Sequence, residues 1–226
     1  MKVLHISDTH GFHDQLSIDN DVDMIIHSGD FSNSREVLEN RREAQEFFDW
    51  FLNLNIKHKI LIAGNHDVIV EKDPIFTKAY LNKDVIYLEN DWVIIEGLKI
   101  FGSPITPTFG TGWAFNKGST IKNYWEHIPE DTDILITHGP PKGFLDLTIN
   151  RQNQLELCGC PHLRNKVKEI EPRYMMFGHI HNCKKITNSG TLQIAGLKTI
   201  FSNGSCVTDN RFDLGITSHG NYFEIN

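Results

Sequence analysis

Short, unbroken apolar runs recur along this chain, separated by polar turns and by stretches with helical spacing. Met24-Ile25-Ile26 and Ile134-Leu135-Ile136 show the pattern best: continuously aliphatic, too short for helices, and suited to strands covered on both faces. The same reading places strands at Val3–Ile6, Met24–His27, Ile60–Ala63, Val85–Leu88, Trp92–Glu96, Lys99–Phe101, Ile134–Thr137, Tyr174–Phe177, Leu192–Ala195, Thr199–Ser202 and Tyr222–Ile225. Helices fall between them. Asn33 followed by Glu36 reads as a capping box, after which Val37, Leu38, Ala44, Phe47, Phe48, Phe51 and Leu52 mark an apolar stripe whose aromatics belong to the core. Asp73-Pro74 supplies an N-cap and first-turn proline for a short helix to about Leu81. Pro161 opens another helix, with Leu163, Val167 and Ile170 facing inward, and Pro172 stops it. Strands alternating with helices predict an α/β fold.

No repeat or flexible linker divides the 226 residues, so one domain over 1–226 is expected. The stretch Gly102–Gly118, rich in glycine, proline and aromatics, reads as a long ordered loop, a length usually kept for function. A composition of 39% apolar and 23% charged residues is that of an ordinary globule. The apolar start Val3–Ile6 is interrupted by Asp8, too soon for a signal or membrane segment, so a cytoplasmic, membrane-free protein is expected. A net charge of −7, with basic pairs only at Arg41-Arg42 and Lys184-Lys185, both read as solvated faces, argues against clamping a long nucleic acid. Cys158, Cys160, Cys183 and Cys206 lack the spacing of a zinc knuckle and read as reduced thiols, even with His162 beside the Cys158-Gly159-Cys160 run.

What changes the picture is the chemistry that follows the strands. Asp8-Thr9-His10, Gly29-Asp30, Gly64-Asn65-His66-Asp67, His138-Gly139 and Gly178-His179-Ile180-His181 each trail an apolar run. Alone, Asp8-Thr9-His10, Gly29-Asp30 and His138 read most simply as turns or a hydrogen-bonded core histidine, Gly64-Asn65-His66-Asp67 reads equally as a turn or a site, and His179-Ile180-His181 resembles a pair of ligands. In series they offer hard oxygen and borderline nitrogen donors for about seven ligand positions, which two adjacent divalent cations require. Asp8 and His10, two apart, would share a face of an extended strand; a carboxylate such as Asp30 can bridge two ions.

The series D-x-H, G-D, G-N-H-D, H and G-H-x-H resembles the calcineurin-like metallophosphoesterase superfamily. Ser7-Asp8-Thr9-His10, His27-Ser28-Gly29-Asp30-Phe31, Gly102-Ser103-Pro104, Trp113-Ala114-Phe115-Asn116, His138-Gly139-Pro140-Pro141 and Phe177-Gly178-His179-Ile180-His181 resemble, more narrowly, its metallophosphoesterase-domain-containing (MPPED) group, allied to the class III cyclic nucleotide phosphodiesterases. The resemblance implies a four-layer α/β/β/α sandwich of two mixed sheets with a dinuclear metal site at the strand ends. It implies Asp8, His10 and His181 on one ion, Asn65, His138 and His179 on the other, Asp30 bridging them, and His66 off the metals as a catalytic residue beside Asp30. Many superfamily members carry an Asp where this chain has Asn33, so the resemblance leaves the partner that orients His66 unassigned. No Asp-Arg-Gly triplet matches the phosphate-binding arginine of protein phosphatases, which argues against a phosphoprotein substrate.

The function so implied is hydrolysis of small phosphodiesters, 2′,3′- or 3′,5′-cyclic nucleotides above all, by water held between the ions and acidified toward about 7. His66 would protonate the leaving oxygen or steady the phosphoryl oxygens. Mn²⁺ is the first expectation for both metals, with Fe, Zn²⁺, Ni²⁺ or Mg²⁺ also fitting such donors. Trp113 and Phe115 are candidates to stack on a base, or to pack against the sandwich. Broader phosphomonoesterase or nuclease activity and a non-catalytic scaffold are the alternatives; the low basicity disfavours a nuclease and the full ligand set disfavours a scaffold. The expected partner is a small phosphoester or nucleotide. Oligomeric state is not legible.

Overall fold

The computed structural model describes residues 1–81, 84–183, 185–208 and 215–225. The first part of the chain runs β1 (Lys2–Ile6), β2 (Met24–His27), α1 (Val37–Asn53), β3 (His58–Leu61), α2 (Val68–Lys72), α3 (Pro74–Leu81) and β4 (Ile86–Tyr87). The middle runs β5 (Asp91–Ile95), β6 (Leu98–Ser103), β7 (Thr106–Pro107), β8 (Asn116–Lys117), α4 (Ile121–Glu126), β9 (Ile134–Thr137), β10 (Leu147–Ile149) and β11 (Leu155–Leu157). The last part comprises α5 (Pro161–Ile170), β12 (Tyr174–Phe177), β13 (Gly190–Gln193), β14 (Ile200–Asn203) and β15 (Asn221–Glu224).

Two mixed sheets face each other. The first has the order β15-β1-β2-β3-β4, parallel except for β15; the second has the order β13-β14-β12-β9-β6-β5, parallel except for the edge strands β13 and β5. Alternation along each strand divides the apolar side chains between two faces. Val3, Met24, Ile26, Ile60 and Ile62 fill the space between the sheets with Ile100, Ile134, Ile136 and Met176. Their neighbours Leu4, Ile6, Ile25 and Leu61 on one sheet, and Phe101, Leu135 and Met175 on the other, point the opposite way. They join the core that contains Phe47, Phe48 and Phe51 of α1, Trp125 of α4, and Leu163 and Val167 of α5. The result is the expected four-layer sandwich, helices outside and sheets within.

Several local expectations are corrected. Helix α1 is capped by Glu36, whose Oε2 accepts the Glu39 N–H at 2.9 Å; Asn33 lies outside the helix, its N–H given to Glu43 Oε2 at 2.8 Å. Leu38, assigned to the buried stripe, is 74% exposed. Asp73 does cap α3, its Oδ1 accepting the Phe76 N–H at 3.0 Å, and Cys160 caps α5 through Sγ and the Leu163 N–H at 3.4 Å. Of the two basic pairs, Arg42 is exposed between Glu39 and Glu46, while Lys184 lies outside the described residues. The loop expected from Gly102 to Gly118 carries the two-stranded pair β7 and β8. Among the described residues no helix is long and apolar enough to cross a membrane.

Parallel strands β1, β2 and β3 of one sheet, and β9 and β12 of the other, therefore end at the same rim of the sandwich. In open α/β sheets that rim is where ligands bind.

Candidate metal centre and substrate cleft

Strands β1, β2 and β12 deliver their polar clusters through a bent backbone. Asp8, His10, Asp30 and His179 all have positive φ, 51°, 43°, 58° and 69°. Non-glycine residues enter that region at a cost, and such strain gathers at functional sites. Asp8 and His10 thus converge by turning past the end of β1, which stops at Ile6, and not by sharing a strand face as the extended geometry would have it. Close approach is needed as well. A Cβ on Gly64 would overlap Asp30 Oδ1 and lie 2.6 Å from His138 Cε1, and one on Gly178 would overlap Ser7 Oγ and Asp8 Oδ2.

The donors assemble into overlapping groups whose ligand atoms lie within 4.8 Å of one another: Asp8, His10 and His181; Asp30, His138 and His179; and His10, Asp30 and His66. The first two are the sets expected for two ions. Asp30 stands between them, with Oδ2 3.2 Å from His138 Nε2 and 4.0 Å from His10 Nε2. Asn65 joins the second set, its Oδ1 3.0 Å from the same His138 nitrogen. The third group is unforeseen: a nitrogen of His66, expected to stand off the metals, lies within 4.8 Å of donor atoms of Asp30 and His10.

The chemistry of these donors suits cations. Nδ1 of His10 donates to the Ser32 carbonyl at 2.9 Å and Nδ1 of His138 to the Ser28 carbonyl at 2.9 Å, so both rings turn Nε2 toward the carboxylates. That arrangement, a carbonyl behind the ring and a lone pair in front, is how metal-binding imidazoles are usually held. Burial pushes His10 down to about 4 and His179 to about 3, keeping both neutral and able to donate electrons. Burial would raise the Asp8 and Asp30 carboxyls, but His181 beside the first and His138 beside the second hold both below the usual carboxylate range. His138 is the exception among the rings. Burial works against its charge, yet the Asp30 carboxylate lifts it to about 9, and both of its nitrogens face acceptors. A cation binding here takes the place of that Nε2 proton.

Supporting contacts extend the set beyond what the motifs indicate. Asp8 accepts the His179 N–H at 3.0 and 2.9 Å on its two oxygens and the Ser205 hydroxyl at 2.8 Å. Asp67, quoted in G-N-H-D without a role, is fully buried. It takes the Asp30 N–H at 2.8 Å, the Gly64 N–H at 2.7 Å, and the Ser32 N–H and hydroxyl at 3.0 and 2.6 Å. It ties the Asp30 loop to the Asn65 loop, and burial with the nearby Asp30 charge raises its carboxyl to about 7. Asn40 of α1 is buried as well, its amide donating to the Ser34 and His66 carbonyls at 2.6 and 2.8 Å while its oxygen accepts the Ile69 N–H at 2.8 Å. The partner that orients His66 is a backbone group: its Nδ1 donates to the Asn33 carbonyl at 3.1 Å. Residue 33 therefore serves the histidine without needing a carboxylate.

Over the centre lies a cleft of about 170 Å³, walled by Asp30, Asn65, His66, His179 and His181 together with Phe109, Trp113, Thr148 and Ile180. Trp113 is in the expected place, its ring 4.5 Å from that of His66. Phe115 is not. It is 3% exposed, packs in the core, and gives its N–H to Glu71 Oε1 at 3.0 Å. Phe109, half exposed at the loop tip, faces the cleft instead, 5.0 Å from the His179 ring.

Known proteins resemble this chain in sequence or in fold. The family model for the calcineurin-like phosphoesterases matches residues 1–183. Metallophosphoesterase domain-containing protein 1 of Homo sapiens is 34% identical over 230 residues, which cover 91% of this chain and 66% of that protein. The chain thus spans just under two thirds of that relative. A UPF0046 protein of Caenorhabditis elegans is 34% identical over 201 residues, covering 82% of this chain and 70% of its own length. Among solved structures, the phosphopantetheinyl hydrolase of Mycobacterium tuberculosis aligns with a TM-score of 0.54 at 13% identity, over 90% of this chain and 88% of that one, a likeness of fold.

Proposed function

The chain belongs to the calcineurin-like phosphoesterase family, hydrolases of phosphoesters, and from that premise we propose that it is a metal-dependent phosphodiesterase for small nucleotides. The observation that carries this reading is the pair of donor groups sharing Asp30 beneath an aromatic-walled cleft. Asp8, His10 and His181 with Asp30 would hold one divalent cation, and Asn65, His138 and His179 with Asp30 the other. A pair of such ions, when bound, supplies a water acidified toward about 7 and positive charge for the phosphoryl oxygens.

The remaining steps fall to the chain's own groups. Because His66 Nδ1 is engaged by the Asn33 carbonyl, Nε2 is the atom that serves the cleft, where it can hand a proton to the leaving oxygen. Phe109 and Trp113 keep water from one side of the reacting phosphate. Among the described residues, none that lines the cleft is Lys or Arg, which favours a singly charged diester over a doubly charged monoester. The 2′,3′- and 3′,5′-cyclic nucleotides combine one negative charge with a base that the half-exposed Phe109 ring can meet.

The test is turnover of bis-p-nitrophenyl phosphate, p-nitrophenyl phosphate and a panel of cyclic nucleotides after loading with Mn²⁺, Fe²⁺, Zn²⁺, Ni²⁺ or Mg²⁺, against a chelated control. Metal-dependent cleavage of diesters in preference to the monoester is expected. A faster monoester reaction would overturn the substrate class, and failure with every metal would overturn the enzyme reading.

A further inference from the structure

His66 is anchored weakly for a group that must present one nitrogen to a reacting oxygen. Among the described residues its ring has one hydrogen bond, the 3.1 Å contact from Nδ1 to the Asn33 carbonyl, and it is only partly buried. One such bond fixes a direction but leaves the plane of the ring free to swing. Rings on either side restrict that swing. The His10 ring stands edge-on at 4.7 Å and 76°, and the Trp113 indole lies at 4.5 Å and 50°. Trp113 is itself held from beyond by the Arg35 guanidinium, 4.7 Å from its ring centre, and it touches Phe109 at 5.7 Å.

The spacing also limits what else Trp113 can do. A base inserted between two rings needs them roughly twice the stacking distance apart, near 7 Å, whereas Trp113 is 4.5 Å from His66 and 5.7 Å from Phe109. Neither gap admits a base.

We propose that Trp113 is a positioning residue that holds the His66 imidazole in its working plane, with Arg35 as the cation that holds Trp113. The inference rests on the reading of His66 as the proton donor to the leaving oxygen. The segment between β7 and β8, expected as a long ordered loop of the kind kept for function, thereby becomes part of the reaction machinery. Its aromatic residue acts through the histidine, a role apart from both base stacking and plain packing. Arg35 sits just ahead of α1, so the orientation of His66 depends on two parts of the chain, the approach to α1 and the tip of the β7–β8 loop. A histidine freed by about 1 Å loses on the order of 10²-fold in rate without losing its place on the chain.

Two measurements test this on the full chain. In the first, ¹⁵N-edited NMR follows the His66 ring in the wild type, Trp113→Phe, Trp113→Ala and Arg35→Ala without metal, which needs no substrate. The wild type is expected to show a single tautomer with Nδ1 protonated and ring protons displaced by the indole current. Trp113→Ala should lose the displacement and the fixed nuclear Overhauser contacts from the His66 ring to His10, Trp113→Phe should keep most of both, and Arg35→Ala should fall between. In the second, the metal-loaded proteins are compared on a cyclic nucleotide and an aryl diester. A kcat loss of about 10- to 100-fold on the cyclic nucleotide, smaller on the aryl ester, with KM steady, supports positioning. His66 ring contacts to His10 unchanged in Trp113→Ala would overturn the proposal, and so would a raised KM with kcat intact, which would make Trp113 a substrate contact. Failure of every protein, wild type included, to cleave an ester would count against the phosphodiesterase reading, while the imidazole spectra still decide the role of Trp113.

Discussion

Replacing His27 with glutamine should remove a defined share of the protein's sensitivity to acid. His27 ends β2, is fully buried, and packs against Phe31, Phe47 and Phe51. Its Nδ1 accepts the Gly29 N–H at 3.1 Å, so the ring's single proton sits on Nε2, where it meets Thr9 Oγ1 at 3.1 Å. Protonating Nδ1 would set two N–H groups against each other in a dry core. Burial accordingly pushes His27 down to about 3 from an ordinary 6.5. In the unfolded chain the ring binds a proton near 6.5, so the unfolded state gains protons first as pH falls, and folding stability contributed by this site is full above 6.5 and declines below it until about 3. The decline is about 1.4 kcal/mol per pH unit, or about 2 kcal/mol between pH 7.5 and about 5.0. Glutamine cannot titrate, yet offers an oxygen for the Gly29 N–H and an amide for Thr9. Urea unfolding of chelated wild type and His27→Gln at both pH values gives the comparison, in which the other histidines cancel. The loss of stability on acidification should be about 2 kcal/mol smaller in the variant, whatever its stability at about pH 7.5. An equal loss in both proteins would mean that the folded chain accepts the His27 proton as readily as the unfolded one, and the burial argument would fall.

Asp30→Asn keeps the shape of the residue between the two donor groups but removes its charge, so metal content measured by plasma emission should drop. Diester turnover should fall by more than the roughly 10- to 100-fold typical of groups that only support a ligand; near-native activity would sink the shared-carboxylate reading. Ser205→Ala removes the hydroxyl on Asp8 Oδ2 and should weaken cation binding by about 10- to 100-fold in calorimetry with the circular dichroism spectrum intact. Because His138, raised to about 9, must give up its Nε2 proton to a cation, loading at about pH 7 should release a proton and tighten about tenfold per pH unit toward 9. Calorimetry in buffers of different ionisation enthalpy reads that proton directly, and a pH-independent affinity would refute it.

The strands and the polar clusters at their ends were legible because each depends on a few adjacent residues: Ile25 and Leu135 sit in the middle of unbroken aliphatic triplets, and Asp30 or His138 follows within a few positions. Six other short elements were not. Strands β7, β8, β10 and β11 and helices α2 and α4 have too few positions to show a period, and they exist through pairing with distant segments. Asn33 looked like a cap because Asn and Glu stood at capping-box spacing. In the folded chain Glu43 takes its N–H and His66 takes its carbonyl, partners ten and thirty-three residues away. Of the two readings open for Phe115, stacking on a base or packing, the core takes it, and Phe109, given no role, faces the cleft. Gly110 and Gly112 beside Phe109 mark a loop tip and could have signalled its exposure, whereas the burial of Phe115 depends on Glu71, forty-four residues away. Asp67 and Ser205 carry no motif for what they do, since a hydrogen-bonding support is recognised only by what it touches.

Strand β1 lies inside its sheet, between β2 and β15, and its Lys2–His5 segment pairs with Asn221–Glu224. Asp8, at its end, receives the Ser205 hydroxyl 197 residues downstream and faces His181 across 173. A ribosome therefore releases the carboxylate well before the partners that aim it. Until Asn221–Glu224 has emerged, β1 has one flank uncovered, and Asp8 waits for Ser205 and His181. Closing a loop of that span is slow compared with local pairing. Completion of this corner thus waits on distant parts of the chain. A nascent chain stalled before Ser205 would carry Asp8 and His181 without the hydroxyl that aims the carboxylate.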